Sequence, residues 1–493
     1  MTIDARSIPD ALAEAGRLFA SEDFGSAASA YHAVLARSPG HPAAHGQLGV
    51  IALRRDDPAA AIEHLTAALR RAPHAPALHH TLATACRRHG QLEVAAHALR
   101  RALILQPHNQ DALAALADVR LTTGEPNGAA WAFDILARLR RVEPTLWYNL
   151  GVALVTAGRL GDAATAYRRN ARLLHGRALN LADRDPDPDL PVEPVAPVSR
   201  LTCWHRLEHD RRQLTHLRER GLLADDLADE PERYQTLIDG LSVEERTAIS
   251  FTLDEARFDT IARSYNRVVH QAETGWGDTA ALSDVVDWQA KEEKFLAGDP
   301  RALTIDGLLT EDALAALRRF CWDSTIWHQI KGAGYLGAYF REGFGDPLVV
   351  RIAEELKARM PRVLGPLPVK VIWAYSYEQS MVGINPHADF AAINLNFWIT
   401  PDEANLDPES GGLLVYRKAA PADWDFRTYN TTSAAFIYDH LGDRRDDVVR
   451  VPHRANRAVM FDSRLIHETD RFSFAPGFTN RRINITMLFG EGG

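Results

Sequence analysis

A period of 34 residues runs through the first third of the chain and limits the fold more than any other feature. Ala27, Ala61, Ala95, Ala129 and Ala163 are each 34 apart. Leu48, Leu82, Leu116 and Leu150 keep the same spacing, and each is followed by a small residue: Gly49, Ala83, Ala117 and Gly151. Pro39, Pro73 and Pro107 also fall 34 apart. Such a period suits two helices per repeat. Small residues let paired helices approach, larger apolar residues fill the seam, and proline marks the turn to the next repeat. One repeat cannot bury its apolar face alone, so neighbours must stack into a superhelix. The fourth repeat departs from the pattern, with Arg141 in the proline position and Pro144 three residues later. Residues 1–177 are thus expected to form an α-solenoid.

In its period and in the stretch WYNLG (Trp147–Gly151), the array resembles the tetratricopeptide repeat family. Solenoids offer concave surfaces suited to extended peptides. The expected partner of the repeats is therefore a protein or peptide.

The remainder of the 493 residues leaves room for further domains. Residues 178–200 are rich in Pro and Asp without periodicity, as in LADRDPDPDLPVEPVAPVSR, and read as an extended linker. Residues 201–298 mix charged and apolar positions at helical spacing. Within them CWHRLEHD (Cys203–Asp210) gathers Cys, His and Asp, and is read as a solvated helix face rather than a ligand cluster. The composition, 46% hydrophobic and 25% charged, is that of a soluble globular chain. A net charge of −9 disfavours a nucleic-acid partner. No apolar run reaches the length of a membrane span, and the N-terminus lacks a basic segment followed by an apolar core. Cys86, Cys203 and Cys321 form no CxxC pair, so buried thiols in a reducing cytoplasm are expected.

From residue 299 to 493 the texture changes. LTIDGLLTEDALAALRRF (Leu303–Phe320) predicts a short strand and then a helix capped by Thr310. PLVVRIAEELKARM (Pro347–Met360) predicts a second helix. VKVIWAYSY, AAINLNFWIT, GGLLVYR, AAFIY, RAVMFD and RRINITMLF are short runs of β-branched and aromatic residues, each expected as a strand. The fold class is multidomain α + β: a helical solenoid, a helical middle segment, and a C-terminal β-sandwich or jelly roll with supporting helices.

His387-Ala388-Asp389 lies just after one strand run, and His467 lies 80 residues on. Two histidines and one carboxylate can hold one face of an octahedral iron(II) and leave other positions open. Downstream, NRRINITMLF (Asn480–Phe489) places an arginine at the start of the last strand. These residues, over about 300 to 490, resemble the 2-oxoglutarate/iron(II) oxygenase superfamily in its prolyl-hydroxylase-like branch. The resemblance implies a double-stranded β-helix, with His387, Asp389 and His467 as iron ligands. It implies Fe(2+), 2-oxoglutarate and O2 as cofactors, and hydroxylation as the outcome. It also implies that Arg482 binds the distal carboxylate of 2-oxoglutarate. Strand parity favours Arg482 over Arg481, because Arg482, Asn484 and Thr486 share one face. By the same likeness Tyr377 contacts the cosubstrate, with Tyr375 on its strand face, and Asn484 is a second contact. Asn394 and Asn396 alternate with apolar residues and are expected to line the polar pocket, since two amides on a dry face would be costly. Asp462 reads as a turn-former. Two alternatives stay open: a small metabolite or natural-product intermediate as substrate, or a repeat scaffold with a degenerate oxygenase domain. Oligomeric state is not set by the sequence.

Overall fold

In the computed structural model, residues 7–180, 190–332, 334–381, 383–421, 423–424, 428 and 433–491 are described. The first helices pair as hairpins: α1 (Ile8–Ala20) with α2 (Phe24–Arg37), α3 (Pro42–Arg54) with α4 (Pro58–Arg71), α5 (Pro76–Arg88) with α6 (Leu92–Leu105), α7 (Gln110–Thr122) with α8 (Pro126–Leu139), and α9 (Pro144–Thr156) with α10 (Leu160–His175). Asp23 and Asp57 cap α2 and α4 by accepting from Ser26 N and Ala60 N, each at 3.0 Å. Inside each hairpin the chain reverses through one residue of positive φ: Glu22 (61°), Asp56 (59°), Gly90 (80°), Gly124 (74°) and Gly158 (74°). Glycine reaches that region without a Cβ clash, and three of these five turns use it. The small residues of the period do what the spacing requires. A Cβ on Gly49 would stand 2.5 Å from Leu65, and one on Gly151 would stand 2.3 Å from the Tyr167 ring.

The chain divides into two compact units, Met1–Arg141 and Val142–Gly493. The division falls inside the repeat array, after its fourth hairpin. Helices α9 and α10, the fifth repeat by sequence, pack within the second unit. The Tyr167 ring meets Phe340 edge-on at 5.9 Å, and Asn170 Nδ2 donates to Arg341 O at 3.4 Å. The expected linker is also tied down where it is described. Val195 N donates to Leu173 O, and Arg177 N to Val192 O, each at 2.9 Å, while Leu190 is buried. Residues 181–189 of that linker lie outside the described residues.

In the second unit, α11 (Trp204–Glu219) packs on α12 (Glu230–Asp239) around Leu207, Leu214, Leu217, Tyr234, Leu237 and Tyr265. Residues 260–287 lack helix, and α13 (Trp288–Ala297) follows. The CWHRLEHD segment does not form a solvated face. His209 is 0% exposed, and Cys203, Arg206, Glu208 and Asp210 are buried. Arg206 pairs with Asp210 at 2.7 Å and donates to Trp327 O at 2.7 Å, while Gln213 donates to Ser324 O at 2.9 Å. The carbonyls that follow the next helix, α14 (Glu311–Asp323), need donors, and the polar side of α11 supplies them. Thr310 caps α14, accepting from Ala313 N at 3.2 Å, and α15 (Pro347–Arg359) forms as expected.

Among the described residues, eleven strands of three or more residues then build two antiparallel sheets. They are β1 (Ala302–Asp306), β2 (Gln329–Lys331), β3 (Tyr335–Tyr339), β4 (Val369–Tyr377), β5 (Ile384–His387), β6 (Ile393–Trp398), β7 (Leu413–Ala419), β8 (Val448–Val451), β9 (Arg457–Asp462), β10 (Leu465–Thr469) and β11 (Ile483–Phe489). The larger sheet has the order β1-β9-β6-β11-β4-β3-β2, and the smaller β8-β7-β10-β5. Trp398, Val459 and Phe461 of the first share one apolar cluster with Leu413, Val415, Val451 and Leu465 of the second. AAFIY is not a strand. It opens α16 (Ala434–Leu441), capped by Ser433, with Ile437 and Leu441 buried one turn apart. Five apolar residues carry too little periodicity to separate the two forms. Among the described residues no helix is long and apolar enough to cross a membrane. The three cysteines are buried and free.

The seam between α9 and α10 has no room for a methyl group. Gly151→Ala is expected to destabilise the second unit by about 1–3 kcal/mol through overpacking. Urea unfolding followed by tryptophan fluorescence would show it as a lower midpoint.

Candidate metal centre

The smaller sheet brings the two histidines together. His387 ends β5, His467 lies within β10, and the two are register partners. Their ring centroids are 4.4 Å apart. Asp389 is placed by its own backbone, its N–H donating to Ser463 O at 3.0 Å. Its Oδ2 lies 3.5 Å from His467 Nε2. One ligand atom from each of His387, Asp389 and His467 lies within 4.8 Å of the others.

Both imidazoles are oriented by the main chain. His387 Nδ1 is 2.9 Å from Asn385 O, and His467 Nδ1 is 3.0 Å from Leu465 O. A carbonyl only accepts, so each Nδ1 carries the proton and each Nε2 keeps its lone pair. Burial and the neighbouring His467 push the His387 imidazole below its ordinary pKa. Burial acts to raise the Asp389 carboxyl, but its contacts with His467, His387 and Asn394 outweigh it and hold it below the usual carboxylate value. Two imidazole nitrogens and one carboxylate make a donor set suited to a divalent first-row metal. Asp462 is not part of it. Its Oδ1 accepts from Arg464 N at 3.0 Å and shapes the turn between β9 and β10.

A run of hydrogen-bonded side chains leads away from the triad across the larger sheet. Asn394 Nδ2 donates to Asp389 Oδ2 at 2.5 Å, and Asn396 Nδ2 donates to Asn394 Oδ1 at 2.5 Å. Asn396 Oδ1 accepts from Asn484 Nδ2 at 3.0 Å and from Thr486 Oγ1 at 2.6 Å. Asn484 Oδ1 in turn accepts from Arg482 Nη1 at 3.4 Å. Register explains the alignment, since Asn396 stands opposite Thr486, and Asn394 opposite Leu488, on one face. Asn394 and Asn396 are 0% and 6% exposed. The cost of burying these amides is met by their bonds to one another and to Asp389.

Arg482 is 1% exposed. Its Nε donates to Gly411 O at 2.6 Å, and its Nη2 to Gly412 O at 3.4 Å. The guanidinium carbon lies 4.6 Å from the Tyr377 ring centroid, 5.2 Å from Phe472 and 5.9 Å from Trp398. No carboxylate among the described residues pairs with it. Burial draws its pKa down from the usual arginine value. Arg481, by contrast, is paired with Glu378 at 2.7 Å. The two arginines are equally buried but differ in partner, and the one without a carboxylate lies on the face that parity selects. Burial raises the Tyr377 phenol and Arg482 partly offsets it, so Tyr377 stays a neutral donor. Tyr375 shares that face but is engaged elsewhere, its Oη 3.1 Å from Tyr339 Oη. Trp373, Tyr339 and Phe390 extend the aromatic wall.

Some participants carry no signal in the sequence. Gly411 and Gly412 stand out there only as the start of a strand run. A Cβ on Gly412 would fall 1.8 Å from Val451 O, and Gly411 has φ 83°. Glycine is thus required where two carbonyls must reach the guanidinium. His453 and Trp398 border the same space, and nothing separates His453 from the other histidines in the sequence.

Asn394→Ala would leave Asp389 Oδ2 without its amide donor. It is expected to weaken divalent-metal binding by about 10–100-fold, measured by calorimetric titration with Mn2+. Protons compete with metal for the two Nε2 atoms. Affinity should be flat above the imidazole range and fall as pH drops through it. His387 is held below its ordinary value, so its share of that fall should come at a lower pH than a free imidazole would give. A pH series of the same titration would show it.

A tetratricopeptide repeat family model matches residues 12–76, 80–140 and 115–173. No curated protein matches the chain. Among solved structures, the crystal structure of MamA protein is 21% identical with a TM-score of 0.32, covering 34% of this chain and 90% of that one. YrrB, titled a TPR protein with an unusual peptide-binding site, is 18% identical with a TM-score of 0.31, covering 32% and 82%. TTC0263, a thermophilic TPR protein in Thermus thermophilus, is 20% identical with a TM-score of 0.25, covering 34% and 91%. The N-terminal part of the chain is built of tetratricopeptide repeats, and an antiparallel sheet-rich region carries the His-Asp-His cluster.

Proposed function

We propose that the second unit is an iron(II)- and 2-oxoglutarate-dependent dioxygenase that hydroxylates a protein or peptide recruited by the repeats. The observation that carries this reading is the joining of two sites by one hydrogen-bonded run. At one end stand two oriented imidazoles and a carboxylate; at the other stands a buried guanidinium with no carboxylate of its own among the described residues. A cosubstrate that chelates a metal at one end and carries a carboxylate at the other matches both. The two sheets sharing an apolar layer support a jelly roll, and three free buried thiols suit a reducing cytoplasm.

His387, Asp389 and His467 would hold the iron, and Arg482 would take the distal carboxylate of 2-oxoglutarate as a planar fork. The bound group supplies the oxidation: a C–H bond, dioxygen and 2-oxoglutarate give an alcohol, succinate and carbon dioxide. The chain's residues supply orientation. The Nδ1–H bonds to Asn385 O and Leu465 O aim both Nε2 atoms at one point. Asn394 donates to Asp389 Oδ2, the oxygen 3.5 Å from His467 Nε2, and so holds the carboxylate in place beside the histidines. Asn484 connects the carboxylate-binding end to that ligand, with Asn396 between them. Tyr377 and Phe472 keep water from the Arg482 guanidinium, which strengthens its hold on an anion. Trp373, Tyr375, Tyr339 and Phe390 offer an apolar wall for the substrate.

Full-length protein with Fe(2+), 2-oxoglutarate and air is expected to release succinate, and His387→Ala to abolish it. No iron binding, or succinate release unchanged in His387→Ala, would sink the reading in favour of a scaffold. Mass spectrometry of trapped partners should find an added oxygen. Turnover of a small metabolite in its place, undiminished after removal of residues 1–141, would redirect the substrate to small molecules.

A further inference from the structure

The surroundings of Arg482 hold more donors than the arginine itself. Arg482 bonds to Gly411 O, Gly412 O and Asn484 Oδ1 and shares a side-chain hydrogen bond with Tyr377, and all of these partners are neutral. His453 lies beside it, 4% exposed. Its backbone N–H donates to Ser410 O at 3.1 Å, and a Cβ on Gly411 would sit 3.4 Å from the His453 Cβ. The imidazole meets Phe474 edge-on at 5.0 Å and lies 6.0 Å from the Trp398 ring, which also borders the Arg482 guanidinium. Among the described residues, neither nitrogen of His453 has a hydrogen-bond partner, and neither has Trp398 Nε1. Buried donors are left unpaired rarely, because each loses its water without replacement. Here two aromatic donors stand unpaired beside a guanidinium that is itself without an anion.

These groups have one chemistry in common, since each can donate to a carboxylate. Burial and the Arg482 charge push the His453 pKa down to about 3, so the ring is neutral and can present a single N–H. A neutral donor adds a hydrogen bond without adding a second buried cation.

We infer that His453, with Trp398 beside it, completes the Arg482 pocket as a donor to a carboxylate, and so selects a dicarboxylic 2-keto acid over a shorter acid that only chelates metal. This rests on the cosubstrate reading above. His453 is in that case a specificity-determining residue, acting at the end of the cosubstrate far from the metal.

Calorimetry on the full chain loaded with Mn2+ tests this with two probes. 2-Oxoglutarate reaches both the metal and the pocket, whereas oxalate reaches the metal alone. His453→Phe keeps the ring and its contacts but removes both nitrogens. It is expected to weaken 2-oxoglutarate by about ten- to hundredfold, the worth of one hydrogen bond to a charged group, and to leave oxalate unchanged. His453→Asn, which restores an N–H, should recover part of the loss. Equal weakening of both probes would mark His453 as structural and overturn the inference. So would unchanged 2-oxoglutarate affinity in His453→Phe when Arg482→Met has lost it, and that result would leave the oxygenase reading intact. If wild type binds no 2-oxoglutarate, or Arg482→Met binds it as wild type does, the cosubstrate reading fails and takes the inference with it.

Discussion

A guanidinium buried at 1% exposure, with no carboxylate paired to it among the described residues, is an expensive group to keep. The structure around Arg482 is arranged to tolerate it. Two glycine carbonyls accept from it, three aromatic rings lie within 6 Å, and an asparagine links it to the interior of the sheet. None of these supplies a negative charge. The same cost that argues against such a group in an inert core argues for a site that meets an anion. The glycines follow from this constraint, since a side chain at Gly412 would collide with the neighbouring strand and displace the carbonyl.

Sheet register transmits that constraint to the triad. Asn396 stands opposite Thr486, and Trp398 opposite Asn484. One residue of slip would turn the amides outward and bring Ile485 and Phe397 inward. The polar run from Arg482 to Asp389 therefore exists in a single register. The apolar layer of Trp398, Val459, Phe461 and Val415 helps to hold that register, because it too would be inverted. Packing and polar chemistry are specified by one alternation of residues.

Much of this was legible in the sequence where a periodicity carried it. The 34-residue spacing pointed to the helical hairpins, and the alternation in β11 separated Arg482 from Arg481. Contacts between distant segments were not legible. CWHRLEHD looks solvated on its own helix, yet it is buried by carbonyls more than a hundred residues away. Asn394 and Asn396 were readable as polar positions on a strand, but not as partners of Asp389. AAFIY was too short to show a period. His453 has no local pattern at all, and only the fold sets it beside Trp398 and Phe474. The division at Arg141 was invisible for a related reason. The repeat signature records how α9 meets α10, not what the far side of α10 touches.

That far side has a consequence for how such a chain can change. Within the first unit the four hairpins pack only on one another. The fifth hairpin differs, because Tyr167 and Asn170 are committed to Phe340 and Arg341. Its ancestry is that of a repeat, but its tolerance of mutation should be that of the sheet it supports. A change of array length that removed the fifth hairpin would therefore strip Phe340 and Arg341 of the partners they pack against.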